Sequence, residues 1–234
     1  MSLEIEAKLD AIERRIRAAC KKFGRARETV TLVCVSKTAP SSAIDSAIEA
    51  GQRHFGENYA DEAIAKIPQL ASNSESIWWH FLGSVQSNKI GTIARTFDWV
   101  HGVDSTKIAR LLGQQRSSEL ARLQVCVQVN LSEEASKRGT SIRALPAVIQ
   151  EVLAQPRLEL RGLMSIPPAT QDLALQHGFH RQLREAFEEL QGQGLALDTL
   201  SMGMSQDLEA AIAEGSTMVR VGTAIFGARP PKQD

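Results

Sequence analysis

What most constrains this chain is a strand–helix alternation that runs almost its whole length. The segment Thr31-Leu-Val-Cys-Val-Ser-Lys37 is short, β-branched and nearly all apolar, as a strand buried on both faces must be. Seven more candidates follow, at His54–Glu57, Trp79–Gly83, Trp99–Val103, Gln124–Leu131, Leu160–Ile166, Leu200–Met204 and Met218–Phe226. Helical spacing separates them. It covers a segment opened by Pro40-Ser-Ser and closed at Gly51, and then 58–67, 86–95, 105–121, 141–154, 171–192 and 206–214. A further helix over 2–22 carries Leu3, Ile5, Leu9, Ile12, Ile16 and Ala19 on one stripe. Strands joined through helices by short loops make a parallel sheet, because a parallel neighbour is reached only by a crossover. Eight such units in 234 residues favour an α/β fold of one closed (β/α)8 TIM barrel over a doubly wound open sheet. The expected organisation is a single domain over residues 1–234, with an extra N-terminal helix within 1–24 and a tail at 229–234.

Composition narrows the function. The 27 Lys+Arg balance 27 Asp+Glu, so no bulk positive potential gathers polyanions, and no nucleic-acid partner is expected. Cys20, Cys34 and Cys126 are too few and too scattered for a disulfide framework. No CxxC or close Cys/His set suggests a metal. No apolar run approaches the roughly 20 residues that cross a bilayer. The first 24 residues mix acidic and basic side chains, unlike a targeting peptide. A cytoplasmic protein without a membrane partner is the expectation.

In a barrel of this kind the chemistry lies at the C-terminal ends of the strands. Lys37 closes the first strand on the face of Val33 and Val35, which would aim it at the barrel mouth. A lysine amine shielded there attacks carbonyls, and a lysine that merely snorkels to solvent is the alternative. Ser201-Met-Gly-Met-Ser205 precedes a helix that Ser205 or Asp207 could cap. It reads either as an anion cradle or as a tight turn. Gly222 and Thr223 offer bare amides and a hydroxyl at the end of the last strand, where barrel phosphate sites often form. Arg220 alternates away from Val219 and Val221, and either a ligand or a structural salt bridge must hold it. A nucleophilic lysine together with a phosphate cradle suits an aldehyde that carries a phosphate, and pyridoxal 5′-phosphate is that molecule. An arginine at its pyridine nitrogen keeps that nitrogen unprotonated and weakens the ring as an electron sink.

Several longer segments carry a resemblance. They are Val35-Ser-Lys-Thr-Ala-Pro40, His54-Phe-Gly-Glu-Asn58, Trp79-His-Phe-Leu-Gly83 with Gln86-Ser-Asn-Lys89, and Gln128-Val-Asn-Leu-Ser132 with Ser136-Lys-Arg-Gly139. Gly162-Leu-Met-Ser-Ile-Pro167, Leu200-Ser-Met-Gly-Met-Ser205 and Arg220-Val-Gly-Thr-Ala-Ile-Phe-Gly227 complete the set. In this order, from about residue 30 to 228, the chain resembles the YggS/PROSC family of pyridoxal phosphate homeostasis proteins. The family's barrel is similar to the N-terminal domain of alanine racemase. The resemblance implies that Lys37 holds the cofactor covalently as an internal aldimine, that Ser201, Gly222 and Thr223 hold its phosphate, and that Arg220 faces the pyridine nitrogen. It also places Asn58 and Met164 near the ring. Ser84 stands where many relatives carry proline or a similar residue, which touches only the local loop.

Racemisation needs an acid/base group on each face of the cofactor. The sole tyrosine, Tyr59, reads as a packing or rim residue, and no length is left after the barrel for the second domain that supplies that group in alanine racemase. The expected function is therefore a non-catalytic protein that buffers pyridoxal phosphate or delivers it to apo-enzymes, acting as a monomer. A slow amino-acid racemase is the alternative. A phosphate-ester enzyme using His80 or Glu57 as base is a third reading. Lys137 reads as a solvated loop lysine or a second aldehyde acceptor. His177 and His180, three apart on one helix, read as surface residues, Cys34 as core, and Trp78, Trp79 and Trp99 as packing residues.

Overall fold

The computed structural model describes residues 2–70, 77–132 and 138–227. Eight parallel strands close on themselves in sequence order: β1 (Thr31–Val35), β2 (His54–Glu57), β3 (Trp78–Phe81), β4 (Trp99–Val103), β5 (Leu123–Gln128), β6 (Leu158–Met164), β7 (Thr199–Ser201) and β8 (Met218–Val221). The closing pair sets β1 beside β8, with Val33 opposite Arg220. The crossovers use helices α2 (Ser41–Glu49), α3 (Ala60–Lys66), α4 (Ile90–Thr96), α5 (Thr106–Gln115), α6 (Leu145–Leu153), α7 (Leu173–Gly192) and α8 (Leu208–Ala213), while α1 (Ser2–Lys22) precedes the barrel.

Period-two alternation divides the apolar side chains into two layers. Val33, Leu82, Trp99, Cys126, Met164 and Met218 fill the barrel interior. Cys34, Phe55, Val100, Val127, Leu163, Leu200, Val219 and Val221 point outward into the larger layer beneath the helices. Cys34 is thus core, and burial pushes its thiol up to about 12. α1 buries Ile5, Ile12 and Ile16 against α2 and α8.

Two expectations need correction. The last strand stops at Val221, and Thr223–Phe226 form a short helix, α9, whose first amide follows Gly222 directly. The first strand stops at Val35, and Lys37 lies in the turn beyond it, although the Ser36 amide still donates to the Gly56 carbonyl at 2.8 Å. Lys137 and the tail at 229–234 lie outside the described residues.

Candidate functional site

A cavity of about 490 Å³ opens at the C-terminal end of the barrel. Val35, Lys37 and Thr38 line it from the turn after β1, and Asn58 and Tyr59 from the end of β2. Met204 and Ser205 follow β7, and Arg220, Gly222 and Thr223 come from β8 and its helix. The structure therefore brings Lys37, Asn58, Arg220, Gly222 and Thr223 to one cavity, although Lys37 and Arg220 lie at opposite ends of the sequence. Tyr59 is half-exposed at the rim. Met164 and Ser201 do not line the cavity; both are fully buried in the barrel interior below it.

Lys37 is held by its neighbours. Thr38 adopts φ 63°, a left-handed conformation that a β-branched residue rarely takes, and its amide donates to Glu62. Beneath the turn, the Lys66 ammonium donates to the Ser36 carbonyl (2.9 Å), to Glu57 Oε1 (3.0 Å) and to Glu62 Oε1 (2.9 Å). Burial pushes the Glu57 carboxyl up, against the Ser36 hydroxyl and the Lys66 charge, which pull it down. Glu57 Oε1 is thus occupied inside the fold, and Glu57 does not line the cavity.

Arg220 forms the floor. Its Nη1 donates to Ser201 Oγ at 2.6 Å and its Nη2 to the Ser165 carbonyl at 2.8 Å. Both acceptors are uncharged, and among the described residues no carboxylate forms a salt bridge with this buried arginine. Burial lowers its pKa to about 10, which leaves it charged at neutral pH. Below it, Ser201 Oγ lies 2.7 Å from His101 Nδ1. His101 Nε2 is 2.9 Å from His80 Nδ1, and His80 Nε2 is 3.1 Å from His54 Nδ1. Burial and the Arg220 charge push His101 down to about 3, while burial together with the flanking His101 and His54 rings holds His80 well below the ordinary histidine range. His80 is therefore a link in an interior chain, away from the cavity. Two orphaned oxygens flank the site: Asn58 Oδ1 at the wall and Ser165 Oγ beside Arg220 are buried without a hydrogen-bond partner.

Gly222 shows why the wall there is backbone. A Cβ at this position would lie 3.0 Å from the Val35 carbonyl oxygen. Gly203 is different: at φ 94° its missing Cβ makes room for Ala211 of α8, so this glycine makes the turn and does not approach a ligand. Asp207 begins α8 but its carboxylate is used elsewhere, accepting from the Met204 amide (2.6 Å) and pairing with His180 (3.0 Å). His180 is fully buried, not at the surface, because that carboxylate meets it under α7. His177 pairs separately with Glu214 at 2.9 Å. Among the described residues no His/Cys/Asp/Glu group could hold a metal.

Residues 7–230 match the family described as alanine racemase, N-terminal domain. The pyridoxal phosphate homeostasis protein of Pseudomonas aeruginosa is 53% identical over 215 residues, which cover 92% of this chain and 91% of that one. Its counterpart in Escherichia coli K12 is 47% identical and covers 97% of both chains. This chain belongs to the pyridoxal phosphate homeostasis protein family. PipY of Synechococcus elongatus PCC7942, solved with PLP bound, superposes with a TM-score of 0.83 at 37% identity. The match covers 95% of this chain and all of PipY. Alanine racemase of Clostridium difficile shares the barrel at a TM-score of 0.66 and 15% identity, a likeness of fold alone. The matched region, residues 7–230, includes the segments that build the cavity, from the Lys37 turn to the Gly222–Thr223 bend. Sequence reading missed the clamp under Lys37 and the histidine chain under Arg220. The histidines do fall on alternating strand positions, but only barrel closure shows that these positions meet.

Proposed function

We propose that this chain binds pyridoxal 5′-phosphate in the cavity, with Lys37 as its covalent attachment point, and buffers the cofactor or passes it to apo-enzymes without turnover of its own. The observation that carries the reading is that a primary amine and a carboxylate-free buried guanidinium face the same cavity. Pyridoxal phosphate would supply an aldehyde that condenses with a primary amine, a pyridine nitrogen that accepts a hydrogen bond, and a phosphate. The residues suit each part. Lys37 presents the amine. Arg220, with N–H groups beyond the two used below it, donates to the ring nitrogen and gives it no proton. The Thr223 and Ala224 amides, which precede the first hydrogen bond of α9 from Ile225 to the Gly222 carbonyl, and the Thr223 hydroxyl face the phosphate across the close backbone of Gly222. Asn58 has an orphaned oxygen to offer a ring substituent. Met164 and Ser201 serve the site from beneath.

Two features favour holding over turnover. A guanidinium at the pyridine nitrogen leaves the ring a weak electron sink, and Tyr59 stands at the solvent rim, unlike a base fixed over the opposite face. The direct test is the visible spectrum of the protein with pyridoxal phosphate, with and without borohydride. A yellow band that borohydride bleaches, absent from Lys37→Ala, is the expected result, and an unchanged band in Lys37→Ala overturns the attachment. Incubation in deuterated water with common amino acids is expected to give no multiple-turnover exchange at the α-carbon, and sustained exchange would establish an enzyme. Sedimentation is expected to show a monomer.

A further inference from the structure

Arg220 is a buried cation with no carboxylate in ion-pair contact among the described residues, and the residues around it show what takes the counter-ion's place. The acceptors that hold its Nη1 and Nη2 are Ser201 Oγ and the Ser165 carbonyl. A hydroxyl that accepts from a guanidinium still has its own hydrogen to give, and His101 Nδ1 stands 2.7 Å away. Accepting it leaves a neutral His101 with its hydrogen on Nε2, facing His80 Nδ1 at 2.9 Å. The same logic moves the next hydrogen to His80 Nε2, facing His54 Nδ1 at 3.1 Å. His54 begins β2 at the far end of the barrel, half-buried and stacked on the exposed Trp78 at 6.4 Å between centroids. Five side chains from five strands thus form one donor chain running away from the cation, Arg220 to Ser201 to His101 to His80 to His54.

We propose that His101, His80 and His54 are positioning residues for Arg220. They form a ladder of neutral imidazoles, each carrying its hydrogen on Nε2, whose acceptor ends all face the guanidinium in place of a carboxylate. Aligned hydrogen bonds polarise one another, so the ladder stabilises the charge as a chain of dipoles. Unlike a carboxylate, it does not neutralise the guanidinium, which keeps its remaining N–H groups for the cavity. The surroundings are consistent with neutral rings. Trp99 of β4 packs against His80 and His101, Cys126 of β5 is a thiol that burial keeps protonated, and the Arg161 guanidinium on the Trp99 face pairs with Asp198. The acid that acts on Arg220, Asp207, is taken up by His180 and the Met204 amide. The role in cofactor binding rests on the reading that Arg220 faces the ring nitrogen; the tautomer assignment does not.

Two measurements test this separately. In cofactor-free protein near neutral pH, ¹⁵N spectra of the histidines are expected to show Nδ1 unprotonated and Nε2 protonated at positions 54, 80 and 101. Any of the three with the hydrogen on Nδ1, or a charged His80 or His101, overturns the ladder without any variant being made. In loaded protein, His101→Leu and Ser201→Ala are each expected to weaken pyridoxal phosphate binding by about tenfold, the scale of one hydrogen bond to a charged group, and to shift the visible band. The double variant is expected to be no worse than either single one, because both break the same chain. His101→Gln, which keeps an acceptor toward Ser201 and a donor toward His80, is expected to restore the wild-type band. Additive losses, or a His101→Leu band identical to wild type, overturn the positioning role. A wild-type protein that takes up no pyridoxal phosphate overturns the proposed function, and the tautomer result then still decides whether the ladder exists.

Discussion

Lys37 stands on backbone that its own sequence does not favour. Thr38 at φ 63° carries a conformational cost of about 1–3 kcal/mol, and the Glu62–Lys66–Glu57 cluster beneath holds the turn in that shape. Lys66 is 7% exposed and Glu57 fully buried, so removing one partner strands a charge. Lys66→Met is expected to destabilise the fold by about 3–5 kcal/mol in urea unfolding, with Glu57→Gln/Lys66→Met recovering part of the loss. A loss below about 1 kcal/mol would mean that water screens the cluster as it does a surface pair. At this scale the sequence was legible where one strand's alternation was enough: Arg220 and Cys34 fall on the side that period two assigns, whereas Lys37 reaches the cavity from the turn beyond its strand. Lys66 was not legible, because nothing in Ala60–Lys66 shows that its last turn lies under a different loop. Nor was the place of Ser201, since its partners His101 and Arg220 are 100 and 19 residues away.

Among the elements, the eight strands and the crossover helices were legible because each strand is a short apolar run between helical periodicities. Their ends were not. Val221-Gly222-Thr223-Ala-Ile-Phe226 is apolar enough to extend β8, yet the backbone turns at Gly222 and forms α9, whose Thr223 and Phe226 line the cavity. α1 was legible as a helix but not as part of the site. Its Arg15 forms a bidentate pair with Glu209 of α8, 2.8 Å at each contact, and donates to the Ser205 carbonyl at 3.0 Å. Both side chains are more than a third exposed, so Arg15→Ala is expected to cost less than about 1 kcal/mol of stability. The lost tether to Ser205 is nevertheless expected to speed release of bound pyridoxal phosphate several-fold. Transfer of the cofactor to an apo-enzyme, followed by stopped-flow absorbance, measures that rate. An unchanged rate would restrict α1 to packing.

The whole molecule carries its polar interior along the barrel axis, and this sets how it responds to acid. His80 and His101 are fully buried, with burial holding both well below the ordinary histidine value near 6.5; His101 is at about 3, and half-buried His54 is lowered too. Between these values and about 6.5 the unfolded chain binds protons on these histidines and the folded chain does not. The sign is then fixed: stability is full above about pH 6.5 and falls as pH drops toward 3, by about 1.4 kcal/mol per pH unit for each imidazole kept neutral. The carboxylates that ion pairs and hydrogen bonds hold low, such as Asp207 and Glu13, contribute only at lower pH, whereas burial pushes Glu57 and Asp98 up, so their protonation in the folded chain offsets part of the loss; the difference between the wild type and a histidine variant that keeps all these carboxyls reports the histidine. Urea unfolding between about pH 6.5 and 5 is expected to show a steep loss in the wild type and a shallower one in His101→Gln, which has one fewer imidazole to protonate on unfolding. Equal slopes would mean that His101 accepts a proton in the folded barrel, which is incompatible with a neutral interior beneath the Arg220 cation.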